Sequence, residues 1–415
     1  MIGLQIAGLA SPVQIHVRPQ VTNLVLDEGE TTYTYDAAGR LIGAFVERRT
    51  YRRGLDNRIL QKWRADGERQ RRWLSEAEAR AFLETAYDLA RRVQRSLASA
   101  PQKPSPPSVE REEWEAARRA LAVIAAWDWD ALQADRARFL QIYRPVSILP
   151  PDQYLALVLQ ATEGCSHNAC TFCTFYRDRP FRIKSVAEFR EHIAQVKAFF
   201  GPSLSLRKSI FLADANALVI PQRRLLELMD VVNESFPIGR APSAGAAFAG
   251  IYSFIDAFHV ERKSVAEWEA LAARGLRRAY IGMETGDDAL LRFLNKPGTA
   301  ADVVEAVARL KSAGVAVSVI ILIGVGGDRY AEAHIRGTVE ALSAMPLGAG
   351  DLVYFSDFVE LPGAEYGERA RVEGIRPLTQ EEMRAQEKAI RAGVRWADPA
   401  HPPQLSRYDI REFIY

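Results

Sequence analysis

Three cysteines in 415 residues are too few, and odd in number, for a disulfide framework. No run approaches the roughly 18 consecutive apolar residues of a spanning helix, so none is expected. The charges nearly cancel, 54 Lys+Arg against 52 Asp+Glu for a net +2. That balance argues against a whole-molecule electrostatic role on nucleic acid or acidic membranes and leaves only local patches. The opening MIGLQIAGLASPVQ has no positively charged n-region, so a secretory signal is not expected. Scarce cysteine without a leader suits a reducing cytoplasm. What remains is an ordinary globular composition, 48% hydrophobic and 26% charged, excluding disordered and fibrous classes. At 46.3 kDa the chain can bury one large core or two to three smaller ones. The thiols are not scattered: Cys165, Cys170 and Cys173 fall within nine residues.

The pattern along the chain divides it into residues 1–98, 99–149, 150–360 and 361–415. The first segment reads as β-rich. Val21–Leu26 is a short apolar-leaning run, and Thr31–Tyr35 and Leu41–Val46 flank Asp36-Ala-Ala-Gly-Arg40, whose Asp and Gly suit a turn. The TYDAAGRL stretch occurs once, so one hairpin and no repeat array is expected. Ser75-Glu-Ala-Glu78 is a capping box opening a helix to about Leu97. Ala98–Val109 is Pro/Ser-rich and reads as a linker, and a helical block follows over Glu110–Tyr143. Beyond residue 150 short apolar strands alternate with amphipathic helices. Strands are expected at Tyr154–Gln160, Ser209–Ala213, Ala246–Phe254, Arg278–Met283, Val315–Ile323 and Leu352–Asp357. Six such strands joined by helices predict an α/β fold, a partial (β/α)6 TIM-like barrel with an N-terminal α+β extension and a C-terminal mixed segment. Its chemistry would lie at the C-terminal strand ends. The tail's aromatic DIREFIY is a candidate to fold back onto the sheet.

The first of these strands runs into Ala161-Thr-Glu-Gly-Cys165-Ser-His-Asn-Ala-Cys170-Thr-Phe-Cys173, a C-x4-C-x2-C spacing. A structural zinc site needs a fourth ligand. His167 is the one candidate nearby, and a single residue separates it from Cys165. Three unrelated buried thiols are the other bland alternative. Three thiolates can instead hold three irons of a [4Fe–4S] cube and leave the fourth iron open. This loop resembles that of the radical S-adenosylmethionine (SAM) superfamily, whose usual spacing is C-x3-C-x2-C with an aromatic before the last cysteine. Phe172 supplies the aromatic, and the extra residue in the first gap is a departure.

Other strand ends continue the resemblance. Phe211-Leu-Ala-Asp-Ala-Asn216 stands where many members carry Gly-Gly-Glu, which implies Asp214, with Asn216, as the acceptor for the methionine amino group. Ser253, at the third strand end, is similar to the polar residues near the methionine carboxylate or ribose. Tyr280-Ile-Gly-Met-Glu-Thr-Gly286 resembles the Gly-hydrophobic-Glu-Ser/Thr-Gly element, which implies Glu284 on the ribose hydroxyls. Val317–Gly327 resembles the Gly-x-Ile-x-Gly element whose backbone pairs with adenine, with Ile323 before Gly324 among the adenine contacts; Ile320 and Leu322 depart from it. Arg262 is a candidate for the SAM carboxylate. Taken singly, each of these has a bland reading as a cap, a turn or a packed strand end.

The resemblance covers about residues 150–360 and is nearest to the elongator-type and coproporphyrinogen-dehydrogenase-like catalytic domains. It implies one [4Fe–4S] cluster on Cys165, Cys170 and Cys173, and SAM cleaved to methionine and a 5′-deoxyadenosyl radical that takes hydrogen from a small molecule or cofactor precursor. An electron donor such as flavodoxin or ferredoxin is implied as partner. No cysteine remains for an auxiliary cluster, and His16 is the one histidine before residue 150, with no Asp-x-His-x-x-Gly pattern for cobalamin. One feature lies outside the resemblance: Arg40–Arg72 carries 11 Lys/Arg against four Asp/Glu, with Tyr51, Trp63 and Trp73. It is either a solvated hairpin face or a contact for RNA or another anion.

Overall fold

The computed structural model describes residues 2–65, 67–99, 108–239 and 248–415. It divides into two units: Met1–Pro145 with Ala194–Arg207 and Ile414–Tyr415, and Val146–Ile193 with Lys208–Phe413.

In the first unit the single expected hairpin is one of seven. Strands β1 (Ile2–Leu4), β2 (Val13–Val17), β3 (Val21–Leu26), β4 (Thr31–Asp36), β5 (Leu41–Val46), β6 (Arg49–Arg53), β7 (Ile59–Ala65) and β8 (Glu68–Trp73) pair in chain order as an antiparallel meander. The missed strands have a physical reason. The β5–β6 turn is made by Glu47 and Arg48, both with positive φ, where Asn-Gly would have been a visible signal. Alternation in RTYRR and ERQRRW is between charged and neutral polar residues more than between polar and apolar ones. The Asp36–Arg40 turn forms as expected: Asp36 Oδ1 accepts from the backbone N–H of Ala38 and of Arg40 at 2.9 Å each. Gly39 has φ 86°, and a side chain there would meet Trp127 Nε1 at 2.8 Å.

Helix α1 (Glu76–Ser99) opens on the expected capping box, with Ser75 N–H donating to Glu78 at 2.8 Å. Helices α2 (Ser108–Ala125) and α3 (Trp129–Ile142) replace the single expected block, because Asp128 caps α3 by accepting from Ala131 N–H at 2.8 Å. The expected linker lies over residues 98–109, of which 100–107 are outside the described residues. Ile15, Leu24, Tyr35, Leu83, Tyr87, Val93 and Leu121 belong to one core between sheet and helices. Arg40 makes a two-pronged ion pair with Asp135 at 2.8 and 2.7 Å, and both are almost fully buried.

The second unit is a seven-stranded sheet. After β9 (Ala156–Gln160), a small ladder joins β10 (Thr162–Glu163) to β11 (Arg182–Ile183). Then follow α4 (Val186–Phe200), β12 (Ser209–Ala213), α5 (Gln222–Ser235), β13 (Ile251–Phe254), α6 (Ala257–Val260), α7 (Val265–Ala273) and β14 (Leu276–Glu284). The chain continues through α8 (Asp288–Phe293), α9 (Ala300–Ser312), β15 (Ala316–Ile323), α10 (Gly327–Ala344), β16 (Leu352–Asp357), α11 (Tyr366–Val372), α12 (Gln380–Gly393) and β17 (Gln404–Tyr408). The strand order is β17-β16-β15-β14-β13-β12-β9 with every neighbour parallel, and the ends do not pair: an open, partial barrel. Fully buried strands such as ALVLQ and SIFLA are what a sheet covered on both faces requires. The expected six strands are all present; the third is shorter than Ala246–Phe254, whose first two residues lie outside the described ones. The C-terminal segment adds the seventh. It returns through α11 and α12 and lays β17 beside β16.

Replacing Arg40 by Met strands the Asp135 carboxylate in the core without a partner. The variant is expected to lose about 3–5 kcal/mol, read as a lower urea midpoint for loss of the first unit's tertiary signal.

Candidate functional site

The three thiols sit on the loop between β10 and β11, half-buried and free of disulfides. Two sets of contacts fix that loop. On one flank the buried Asp214 carboxylate accepts from Gly164 N–H at 3.1 Å, from Gln160 Nε2 at 3.0 Å and from Arg179 at 3.3 Å. Gly164 has φ 79°, and any side chain would run into the Pro180 carbonyl at 2.8 Å. On the other flank the residues after α8 clip the loop. Thr171 N–H donates to Leu294 O at 2.9 Å, Asn295 Nδ2 to Ala169 O at 2.8 Å, and His167 Nε2 meets Asn295 O at 2.8 Å. Arg177 donates to the Cys170 and Cys173 carbonyls at 3.1 and 3.2 Å.

A polar group shares the electrostatic neighbourhood of these thiols. Lys296 Nζ lies 3.1 Å from Glu284 and 3.9 Å from Asp256, and its charge acts on all three cysteines. Burial alone would lower the Lys296 pKa; Glu284 and then Asp256 hold it well up, so the ammonium stays charged. Glu284 ends β14 at φ 64°. Its carboxylate lies over Gly282, where a Cβ would overlap it and come within 3.4 Å of Lys296 Nζ. Burial pushes Cys165 up, Cys170 to about 12 and Cys173 to about 11. Left to themselves the thiols stay protonated, and a cationic centre is what would ionise them.

The remaining sequence candidates fall in several places. Asn216 is buried within this polar group: its Nδ2 donates to Ser166 Oγ at 2.9 Å and to the Asp256 carboxylate, and its Oδ1 accepts from Asp256 N–H at 3.1 Å. Asp214 holds the loop through Arg179, as described. Phe172 packs with Leu290, Phe293 and Tyr366 in a small apolar cluster. Ser253 is fully buried and donates to Leu212 O at 2.7 Å, tying β13 to β12. Ile323 ends β15, fully buried, with its carbonyl accepting from Phe358 N–H at 2.7 Å. The adjoining glycines are held by the C-terminal segment: Gly324 N–H donates to Gln386 Oε1 at 2.8 Å and Gly326 N–H to Tyr366 Oη at 2.9 Å. Arg262 is exposed in the turn after α6. Sequence reasoning missed Asp256, Lys296 and Arg179 as site residues. The signals available were an acid just past a strand end and a lone lysine closing the apolar LLRFLN run.

Behind Glu284, the chain from Thr285 to Asp287 is braced by α10. Gly286 N–H donates to Thr338 Oγ1 at 3.0 Å, and the fully buried His334 shares a hydrogen bond with Thr285 Oγ1 at 2.7 Å. Among the described residues no three His, Cys, Asp or Glu side chains gather as a single metal ion would need. A cube places each thiolate on a different iron and has no such requirement.

Residues 159–339 match the family model described as Radical SAM superfamily. Solved structures similar to the chain include methylornithine synthase (PylB), at 17% identity over 58% of this chain and 63% of that one, TM-score 0.37. Coproporphyrinogen III oxidase (HemN) from Escherichia coli matches at 14% identity over 64% of this chain and 55% of that one, TM-score 0.42. HydG, a maturase of the [FeFe]-hydrogenase, matches at 13% identity over 80% and 72%, TM-score 0.39. At these values none of the three specifies a substrate. The chain spans under two thirds of the first of them. No curated protein matches the chain.

Burial holds the His334 pKa down to about 4. An unfolded histidine takes up its proton near 6.5, so below that pH the unfolded chain binds more protons. Stability is therefore lost as pH falls from about 6.5 toward 4. Between pH 7 and pH 5 the unfolding free energy of wild type should fall by about 2 kcal/mol relative to His334→Gln. A difference between the two that does not change with pH refutes the assignment.

Proposed function

We propose, from the match of residues 159–339 to the Radical SAM superfamily model, that the protein is a one-cluster radical SAM enzyme acting on a small molecule or cofactor precursor. The observation that carries the reading is the loop of three thiols, pinned on both flanks beside the Glu284–Lys296–Asp256 group. The donor set fits the cofactors. Three cysteines suit three irons and leave one open, and Gly282 leaves room for a carboxylate that can accept ribose hydroxyls. When bound, such a cluster would supply the single electron for reductive cleavage of SAM.

The chain's own residues bind, orient and shield. Cys165, Cys170 and Cys173 would hold the irons, and Asp214, with Arg179, keeps their loop in shape. Asn216, Asp256 and Glu284 offer acceptor oxygens to the amino group and ribose of SAM. Lys296 keeps the two carboxylates from repelling each other and tempers the negative charge of three thiolates. Tyr366 and Gln386 fix the glycine turn after β15 by accepting from its N–H groups. All three cysteines of the sequence lie in the loop, which supports a single cluster. A low-potential donor such as flavodoxin or ferredoxin would supply the electron, and the cytoplasm is the compartment proposed for it. No described helix is long and apolar enough to cross a membrane.

Anaerobic reconstitution tests the reading. The wild-type protein is expected to take up about four irons and four sulfides per chain and, after dithionite reduction, to release 5′-deoxyadenosine from SAM. Cys170→Ala is expected to lose both. Wild-type protein that retains zinc, or releases no 5′-deoxyadenosine, contradicts it.

A further inference from the structure

Register and contacts fix which side chains of the seven-stranded sheet face the inside of the barrel. Tyr280 and Tyr354 Oη both donate to Asp152, at 2.6 and 2.8 Å, so they share one face. Phe355, next in the chain, lies under Arg391 of α12 and marks the outer face. Across the strands Phe254 stands beside Tyr280, Ile320 beside both Gly282 and Tyr354, and Leu322 beside Ser356. All of these share the face of the two tyrosines and point inward.

Burial is inverted at this height of the barrel. On the outer face Ser253, Ile281, Val319, Ile321 and Phe355 are fully buried. On the inner face Phe254, Gly282, Ile320 and Leu322 are only partly buried. A barrel of this kind ordinarily fills its interior with layers of side chains, so the space beside these four is open. One layer lower it is full. Phe211, Tyr280 and Tyr354 are buried, the first two with ring centroids 5.9 Å apart, and Asp152 closes the floor by also accepting from Arg278 at 2.9 Å. The chamber therefore opens toward the C-terminal strand ends that carry the thiol loop, and Glu284 stands two residues beyond Gly282 along β14.

The wall of this chamber is apolar, and no free charge serves it. Of the inward-facing residues on β9 and β12–β17, only Arg278 and Glu284 are charged; Arg278 is paired with Asp152 at 2.9 Å and Glu284 with Lys296 at 3.1 Å. A phosphate or carboxylate brought inside would give up its water without gaining a partner. Ile320 adds bulk where the radical SAM element that it resembles carries a glycine, so this wall is a feature of this chain. Ser356 Oγ supplies the polar contrast: the residue faces inward, is buried, and its hydroxyl has no hydrogen-bond partner among the described residues. Such a hydroxyl can bind one polar atom of a neutral molecule. We infer that the substrate is an uncharged, carbon-rich small molecule whose apolar part lies against Phe254, Ile320 and Leu322 and whose polar atom meets Ser356. That this ligand is a substrate rests on the proposed radical SAM function; the chamber's preference for a neutral ligand does not.

The test is equilibrium dialysis of the full-length protein, after anaerobic reconstitution, against 4-methylphenol and against 4-hydroxybenzoate, which carries a carboxylate in place of the methyl group. Wild type is expected to bind 4-methylphenol about tenfold more tightly than the anion. Ile320→Trp, which fills the chamber, should bind 4-methylphenol about tenfold more weakly than wild type. Ile320→Lys, which places a cation in the wall, should reverse the preference. Unchanged melting temperatures show that the variants are folded, and the wild-type comparison decides without them. Wild type that binds neither probe, or binds the anion as tightly as 4-methylphenol, overturns the proposal. So does a folded Ile320→Trp variant that binds 4-methylphenol like wild type. Release of 5′-deoxyadenosine from SAM is measured alongside: neutral preference without release upholds the chamber and contradicts the proposed function, and release with a preference for the anion does the opposite.

Discussion

Three thiols on one short loop are useful only if the loop cannot collapse. The contact that prevents collapse is the buried Asp214 carboxylate, reaching Gly164, Gln160 and Arg179 from the end of β12. Gly164 can approach Pro180 because it has no side chain, and its N–H then points at that carboxylate. Once this flank is fixed, the three hydrogen bonds from the chain after α8 can close the other. The thiols are then left between two rigid supports, half-exposed and close in charge to Lys296, Glu284 and Asp256.

The same supports explain the electrostatics. Burial makes each thiol a poor anion, and burial would also make Lys296 a poor cation. Two carboxylates reverse the second effect but not the first, so the site contains a secured positive charge beside thiols awaiting one more. Such an arrangement keeps the thiols protonated until a cationic centre binds them. The second-layer contacts of α10, His334 to Thr285 and Thr338 to Gly286, brace the strained turn that carries Glu284.

Much of the second unit was legible in the sequence because strands such as ALVLQ and SIFLA are continuous apolar runs and capping boxes open helices such as α7, α9 and α12. Ser209–Ala213 and Leu352–Asp357 match the expected bounds residue for residue. Of the meander, Val21–Leu26, Thr31–Tyr35, Leu41–Val46 and the turn at Asp36–Arg40 were legible; the rest was not, since a Glu-Arg turn and strands rich in arginine carry none of the usual signals. The same limit applies at the site. Three cysteines within nine residues announce themselves, and Glu284 stands in a recognisable element. Asp256 and Lys296 matter only because β13 and the chain after α8 end beside each other, a proximity set by tertiary structure 40 residues apart in sequence. Likewise the seventh strand depends on α11 and α12 carrying the tail back to β16, which no local pattern in QLSRY specifies.

In the proposed enzyme the three thiols leave one iron open for SAM. The most direct measurement is electron paramagnetic resonance of the anaerobically reconstituted, dithionite-reduced protein with and without SAM. A reduced [4Fe–4S] signal is expected, with g-values that shift on adding SAM, because the open iron gains ligands. A signal indifferent to SAM, or a protein that binds one zinc in place of a cluster, would contradict it.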